Sequence, residues 1–141
     1  MKSLGAVTVR ADASSEIGIG NLRRCVTLMR QLRSDGFDVR LIGAQRFGAA
    51  IETLIEDMPV FWLEDRAQGI DRIQYSDNEA WDAEATLSII GRYPARSSWV
   101  VVDHYRLGEE WERIIREAGH RVLVIDDFRD RRHCADILVG D

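Results

Sequence analysis

Residues 7–32 constrain this chain more than any other stretch, because they combine a buried strand, a glycine-containing turn and an amphipathic helix. After the turn, apolar residues recur at helical spacing: Leu22, Cys25, Leu28, Met29 and Leu32. Gly18 and Gly20 have the backbone freedom to let a ligand approach the main chain. The free amides at the start of such a helix favour anionic or strongly polar ligands. Many α/β proteins use the same turn merely to pack a helix on a strand.

The rest of the chain repeats the alternation of strand and helix. Strands are predicted at residues 4–9, 37–42, 60–63, 98–102, 121–125 and 135–139, and helices at 21–33, 49–56, 79–92 and 109–118. Asn21 is expected to cap the first helix. This order predicts one domain over residues 1–141, a three-layer Rossmann-like α/β fold whose largely parallel sheet carries helices on both faces. The polar, irregular residues 64–78 are predicted to form a loop.

Composition narrows the class of protein. A chain of 141 residues suits one domain with a real core. A net charge of -5 argues against a nucleic-acid-binding domain of the usual basic kind. No apolar run approaches the ~18 residues of a membrane span, and Cys25 and Cys134 lack the paired spacing of a disulfide framework or a zinc site. We expect a cytoplasmic protein with reduced thiols and with neither a nucleic-acid nor a membrane partner.

Polar side chains follow three of the predicted strands where each one ends. The clusters are Arg10, Asp12, Ser14 and Ser15 after the first strand, Asp103, His104 and Tyr105 after the fourth, and Asp126 and Asp127 after the fifth. Because parallel strands end along one edge, where α/β ligand sites form, the clusters are predicted to converge. Each cluster also has a purely structural interpretation. Asp103 would cap a turn, Tyr105 would pack under a loop, and Asp126 and Asp127 would bond backbone amides or pair with Arg129 and Arg131.

Three segments resemble a known family: RADASSEIGIGNLRRC, VVVDHYRLGEEW and VIDDFRDRRHCADILV. They are similar to the N-terminal half of the UDP-2,4-diacetamido-2,4,6-trideoxy-β-L-altropyranose hydrolases of pseudaminic acid biosynthesis, which are related in fold to GT-B glycosyltransferases. The resemblance covers essentially the whole chain. It implies a substrate cleft between two Rossmann-like domains, of which the C-terminal one holds most of the UDP. The implied reaction is inverting hydrolysis of a UDP-sugar to UDP and free sugar, without a metal or other cofactor.

The resemblance also implies roles for individual residues. Asn21 occupies the position of the family's proposed histidine base; an amide can orient water but cannot take its proton. Tyr105 matches a tyrosine of the family's site, and His104 beside it is a conceivable substitute base. The candidate catalytic residues are therefore Asn21, His104 and Tyr105. The candidate substrate-binding residues are Arg10, Asp12, Ser14, Ser15, Gly18, Gly20, Arg24, Asp103, Asp126 and Asp127.

Several functional interpretations stay open. The sequence ends at Asp141, about where the second domain of the family would begin, so a C-terminal GT-B domain or a partner chain is expected to complete the cleft. Alone, the chain is expected to have weak or no hydrolase activity. One alternative is a non-catalytic sugar- or partner-binding module that has lost the base. Another is a glycosyltransferase domain with an acceptor pocket in residues 64–78. A phosphoacceptor receiver domain is disfavoured, because Lys2 is the only lysine.

Overall fold

A computed structural model describes residues 3–13, 19–66, 78–92 and 97–140. Over these residues the strands form one sheet: β1 (Ala6–Ala11), β2 (Asp38–Gly43), β3 (Val60–Trp62), β4 (Ser97–Asp103), β5 (Arg121–Ile125) and β6 (Ile137–Val139). The helices are α1 (Gly20–Ser34), α2 (Ala49–Glu52), α3 (Glu79–Ile90) and α4 (Glu109–Glu117). The strand order is β3-β2-β1-β4-β5-β6, and every pairing is parallel. The predicted Rossmann-like α/β fold is confirmed.

The helices cover both faces of the sheet, as predicted. Side chains of β4 alternate between the faces, so Val101 joins a core with α1 and α2, while Val100 and Val102 join a core with α3 and α4. Cys25 of α1 and Trp111 of α4 are fully buried, one in each core. A strand buried on both faces is read from sequence as a continuous apolar run, as it is here.

Element ends differ from the predictions where tertiary contacts decide them. Strand β1 extends to Ala11 because Arg10, 1% exposed, finds partners inside the protein. The predicted second helix is shorter: α2 ends at Glu52 and continues as a 3-10 turn, Thr53–Ile55. A second 3-10 turn, Leu63–Arg66, ends β3 one residue early. The remainder of the predicted loop, residues 67–77, lies outside the described residues.

The start of α1 corrects one prediction. Asn21 is not the N-cap, because the helix begins at Gly20 and the cap position belongs to Ile19, which makes no side-chain cap bond. Gly20 lies inside the helix and has no positive φ, so its conformational freedom is not needed there. The other end agrees with the sequence: Gly36, with φ +106°, lies in the turn that ends α1. Because Asn21 does not cap the helix, its side chain is able to make another contact.

The remaining sequence predictions concern thiols and membranes. Cys25 and Cys134 are both free cysteines, the first buried and the second partly buried. None of the helices in the described ranges is both long enough and apolar enough to cross a bilayer.

Candidate functional site

The strand order reverses between β1 and β4. From β1 the chain moves outward to β2 and β3, and from β4 it moves the opposite way to β5 and β6. In open α/β sheets, ligands bind outside the carboxyl ends of the strands at this switch point. Asp12 directly follows β1, and Asp103 is the last residue of β4. Two of the three predicted polar clusters therefore lie at the switch point.

Asp12 joins the ends of three strands. Its Oδ2 atom lies 2.7 Å from His104 Nε2, while its Oδ1 accepts the backbone N–H of Ala44 at 2.7 Å and Arg10 Nη1 at 2.8 Å. Burial raises the pKa of this carboxyl, but Arg10 and His104 outweigh burial and hold the pKa well below its usual range. Asp12 is thus a charged carboxylate whose two oxygens are both bonded to protein groups.

Arg10 supports Asp12 from below the sheet edge. Its guanidinium binds Asp82 of α3 through two bonds, Nε to Oδ1 at 3.0 Å and Nη2 to Oδ2 at 2.6 Å. The indole N–H of Trp111 donates to the same Oδ1 atom at 2.8 Å. Because Arg10 is buried, it supports Asp12 from inside the protein and is not open to a ligand at the sheet edge.

The bonds of His104 settle its tautomer. Its Nδ1 atom accepts the backbone N–H groups of Arg106 at 3.0 Å and Leu107 at 3.2 Å. The proton of the neutral ring is therefore on Nε2, which donates to Asp12. Both ring nitrogens are engaged, and the side chain is 10% exposed. In this conformation His104 has no free lone pair to accept a proton from water, so its geometry suits a positioning role.

Arg24 connects α1 with the ends of β4 and β5. It binds Asp103 through two bonds, Nε to Oδ2 at 2.5 Å and Nη2 to Oδ1 at 2.7 Å, and it binds Asp127 Oδ2 through Nη1 at 2.7 Å. The side chains of Arg24 and Asp127 are each 35% exposed, whereas that of Asp103 is buried. Cys25 Sγ lies 3.5 Å from Asp103 Oδ2, and burial together with this carboxylate raises the pKa of the thiol well above its usual value. Cys25 is thus a protonated core residue beneath the site.

Asn21 and Tyr105 meet at the mouth of the switch point. The phenol O–H of Tyr105 donates to Asn21 Oδ1 at 3.1 Å. The ring of Tyr105 also packs against Phe128, with 5.3 Å between centroids and 50° between planes. Asn21 is buried, while Tyr105 and Phe128 are 37% and 64% exposed. The two aromatic rings therefore lie on the exposed side of the site.

Asp126 organises the turn that carries Phe128. Its Oδ1 accepts the backbone N–H groups of Phe128 at 3.0 Å and Arg129 at 3.1 Å, and its Oδ2 lies 2.6 Å from His133 Nε2. The other ring nitrogen of His133, Nδ1, lies 2.7 Å from Glu112 Oε2. Burial raises the pKa of Asp126, but the bonds from His133 and the two amides outweigh it and lower the pKa overall. This residue anchors a turn and is not open to a ligand.

The three predicted clusters do converge, and the structure separates their members. Arg10, Asp103 and Asp126 are buried anchors, and Asp12 and His104 are partly buried ones. Asn21 is buried at the mouth of the site, while Arg24, Tyr105 and Asp127 line the open side. The predicted amide bonds of Asp126 are observed, and so is an ion pair with Arg131, whose Nη1 lies 3.6 Å from Asp126 Oδ1. Asp127 pairs with Arg24 instead. Gly20 is the first residue of α1. Ser14, Ser15 and Gly18 lie outside the described residues.

Sequence reasoning missed four residues of this region: Asp82, Glu112, Phe128 and His133. For two of them a signal was present. Asp82 shares a helical face with apolar residues such as Ile89, and Glu112 shares one with Ile115. A carboxylate in an apolar stripe predicts a buried partner. Phe128 and His133 had no comparable pattern, because their positions depend on a turn held by distant residues.

Within the described ranges, no group of three or more His, Cys, Asp or Glu side chains is placed to hold a metal ion. Comparisons of the chain with protein-family models and with curated proteins found no match.

Proposed function

We propose that this chain is the sugar-facing domain of a nucleotide-sugar hydrolase, which cleaves a UDP-linked amino-deoxy sugar with inversion in pseudaminic acid or surface polysaccharide biosynthesis. The observation that carries the proposal is the hydrogen bond between Asn21 and Tyr105 at the switch point. These are the two positions to which the sequence resemblance assigns the base and the site tyrosine. The Rossmann-like fold supports the proposal, since open α/β sheets bind their ligands at the switch point.

The chemistry requires a water molecule placed opposite the departing UDP and a group that takes its proton. Asn21 Oδ1 accepts from Tyr105, so a water or a sugar hydroxyl bound at Asn21 would be held by the amide N–H groups. An amide cannot take the proton. The nearby His104 and His133 have both ring nitrogens bonded to protein groups. The chain alone is therefore expected to hydrolyse UDP-sugars slowly at most.

The charge around Arg24 supports placing the UDP elsewhere. Its guanidinium is shared between the carboxylates of Asp103 and Asp127, so this group of three carries a net negative charge. A diphosphate would be repelled there, because like charges a few ångströms apart interact unfavourably. A sugar, being neutral and rich in hydroxyls, suits these groups better. This division agrees with a C-terminal domain or a partner chain that holds the UDP.

A second candidate is a sugar-binding module without catalysis. It is favoured by Asn21 at the base position together with the fully bonded ring of His104. A glycosyltransferase domain is a third candidate; deletion of the loop at residues 64–78 without loss of acceptor use would count against it.

The test is UDP release from a panel of UDP-sugars, measured with and without the C-terminal domain of a related hydrolase. The chain is assayed as Asn21, as Asn21→His, which supplies a base, and as Asn21→Ala, which removes the amide. We expect turnover to require both the added domain and the histidine. The alanine variant controls for a nonspecific effect of replacing the residue.

Each other outcome selects a different function. Turnover by the Asn21 form would mean that another group activates water. Sugar binding without turnover in any combination would identify a binding module. Transfer that depends on an added sugar acceptor would identify a glycosyltransferase.

A further inference from the structure

We propose that Phe128, packed against Tyr105, forms an aromatic platform on which the pyranose ring of the substrate stacks. This inference deepens the proposed function and rests on it. Phe128 was not among the site residues predicted from the sequence. Its exposure and its contacts in the structure point to a role in binding.

The exposure of Phe128 is unusual for its chemistry. At 64% it ranks with Leu4 as the most exposed large apolar residue in the described part of the chain. Exposing a phenylalanine forgoes the stabilisation that burial would provide. A single exposed apolar residue is common, but this one lies at the sheet edge where α/β ligand sites form.

The turn that presents Phe128 is held by several side chains. Asp126 accepts the N–H groups of Phe128 and Arg129. Arg129 has a positive φ of 52°, a conformation that non-glycine residues rarely adopt. Behind the turn, His133 binds both Asp126 and Glu112. The backbone of the turn that presents Phe128 is therefore fixed by bonds to the buried carboxylates of Asp126 and Glu112.

The partner ring is fixed as well. The hydroxyl of Tyr105 is bonded to Asn21, and its ring lies 5.3 Å from that of Phe128 at a tilt of 50°. This distance and angle fall in the favourable range for aromatic pairs, which prefer tilted or offset arrangements. The two rings consequently present a continuous apolar surface with a preset shape.

The surroundings of the platform match a carbohydrate. A pyranose has an apolar face of C–H bonds and a rim of hydroxyl groups. The rings offer aromatic surface to the face, while Asn21, Arg24 and Asp127 offer donors and acceptors to the rim. A protein partner would be favoured by a larger apolar patch than two rings. Phe128 should accordingly favour sugars with an uninterrupted apolar face.

The experiment is an NMR titration of the chain with a panel of UDP-hexoses, and with UDP as the probe that lacks the sugar. Aromatic ring signals of Tyr105 and Phe128 report stacking directly. The variants are Phe128→Ala, Phe128→Trp, which keeps an aromatic face, and Leu4→Ala, an equally exposed residue beside Gly36 at the amino edge of the sheet.

We expect UDP-hexoses, and not UDP, to shift both ring signals. Phe128→Ala should raise the dissociation constant of the UDP-hexose about tenfold, which corresponds to ~1.4 kcal/mol, while Phe128→Trp and Leu4→Ala should keep it. Unchanged affinity in Phe128→Ala, with wild-type binding intact, would overturn the platform and leave the proposed function standing. No binding of any UDP-hexose by the wild-type chain, either alone or with the C-terminal domain of a related hydrolase added, would overturn both. If the wild-type chain self-associates and Phe128→Ala does not, the platform binds a second copy of the chain and not a sugar, and the proposal is overturned.

Discussion

Two groups at the same edge of the sheet have the same composition, one arginine between two aspartates. The buried triad, Arg10 with Asp12 and Asp82, has side chains 1%, 14% and 6% exposed. In the edge triad, Arg24 and Asp127 are each 35% exposed. The same residue types therefore occur once as a support inside the protein and once as a surface open to ligands.

The difference follows from solvation. An ion pair removed from water is expensive to form and very expensive to break, because the remaining charge stays buried without a partner. A partly exposed pair contributes little, since water replaces a lost partner. Burial thus determines which triad can exchange its contacts for those of a ligand.

The largest effect should come from removing Asp82 in the buried triad. Asp82→Ala leaves the guanidinium of Arg10 and the indole N–H of Trp111 without this acceptor, and we expect unfolding to be easier by ~3–5 kcal/mol. The matched change in the edge triad, Asp127→Ala, should cost at most ~1 kcal/mol. Denaturant titration of both variants measures the contrast. Equal effects would refute the distinction between the triads.

A smaller effect that depends on pH is expected at His133. Burial lowers the pKa of His133, but its bonds to Asp126 and Glu112 outweigh burial and raise the pKa above 6.5. Its contribution is then complete below pH 6.5 and is lost as the pH rises through the folded pKa. Asp126, whose pKa is lowered from 3.8, contributes above pH 3.8 and loses its contribution as the pH falls through its folded pKa.

His133→Gln should accordingly remove the alkaline loss of stability and cost ~1.5–3 kcal/mol near pH 6, the usual contribution of hydrogen bonds to charged groups. The free energy of unfolding, measured across this pH range for wild type and variant, provides the test. A wild-type stability that rises between pH 6.5 and 8.5 would contradict the assigned direction. His120→Gln is the matched control for loss of a histidine outside this turn.

The smallest effect should come from the exposed side of the site. Tyr105→Phe removes the O–H that bonds Asn21, so we expect a loss of ~1 kcal/mol of stability or less. A double-mutant cycle with Asn21→Ala isolates the pair. The same variants should weaken UDP-sugar binding more than they weaken folding. An effect on folding as large as that of Asp82→Ala would place Tyr105 among the structural supports.

The fold was predictable because strand and helix periodicities are local properties. The burial of β4 on both faces was predicted from its continuous apolar run, and the end of α1 was predicted from the turn at Gly36. The end of β1 was not, since a buried Arg10 is tolerated only where Asp82, far along the chain, supplies the opposite charge. Asn21 was expected to cap a helix, but the choice between capping and bonding Tyr105 depends on tertiary structure.

The candidate site was predictable to a similar depth. Polar residues after parallel strands converge by topology, and their clustering was therefore expected. Which of these residues support the site and which face a ligand could not be predicted, because this depends on the burial of each side chain. His104 illustrates this. The sequence suggested that it could act as a base, but in the structure its Nδ1 atom accepts two backbone N–H groups, so the residue supports the turn instead.

The bonds from His104 Nδ1 to the amides of Arg106 and Leu107 have a thermodynamic consequence for binding. They close the segment after β4 into a compact turn before any ligand arrives. A ligand that contacts Tyr105 therefore does not have to order this segment, and the entropic cost of association is reduced. Because less of the interaction energy is spent on ordering the protein, a small contact area can then bind a ligand with higher affinity.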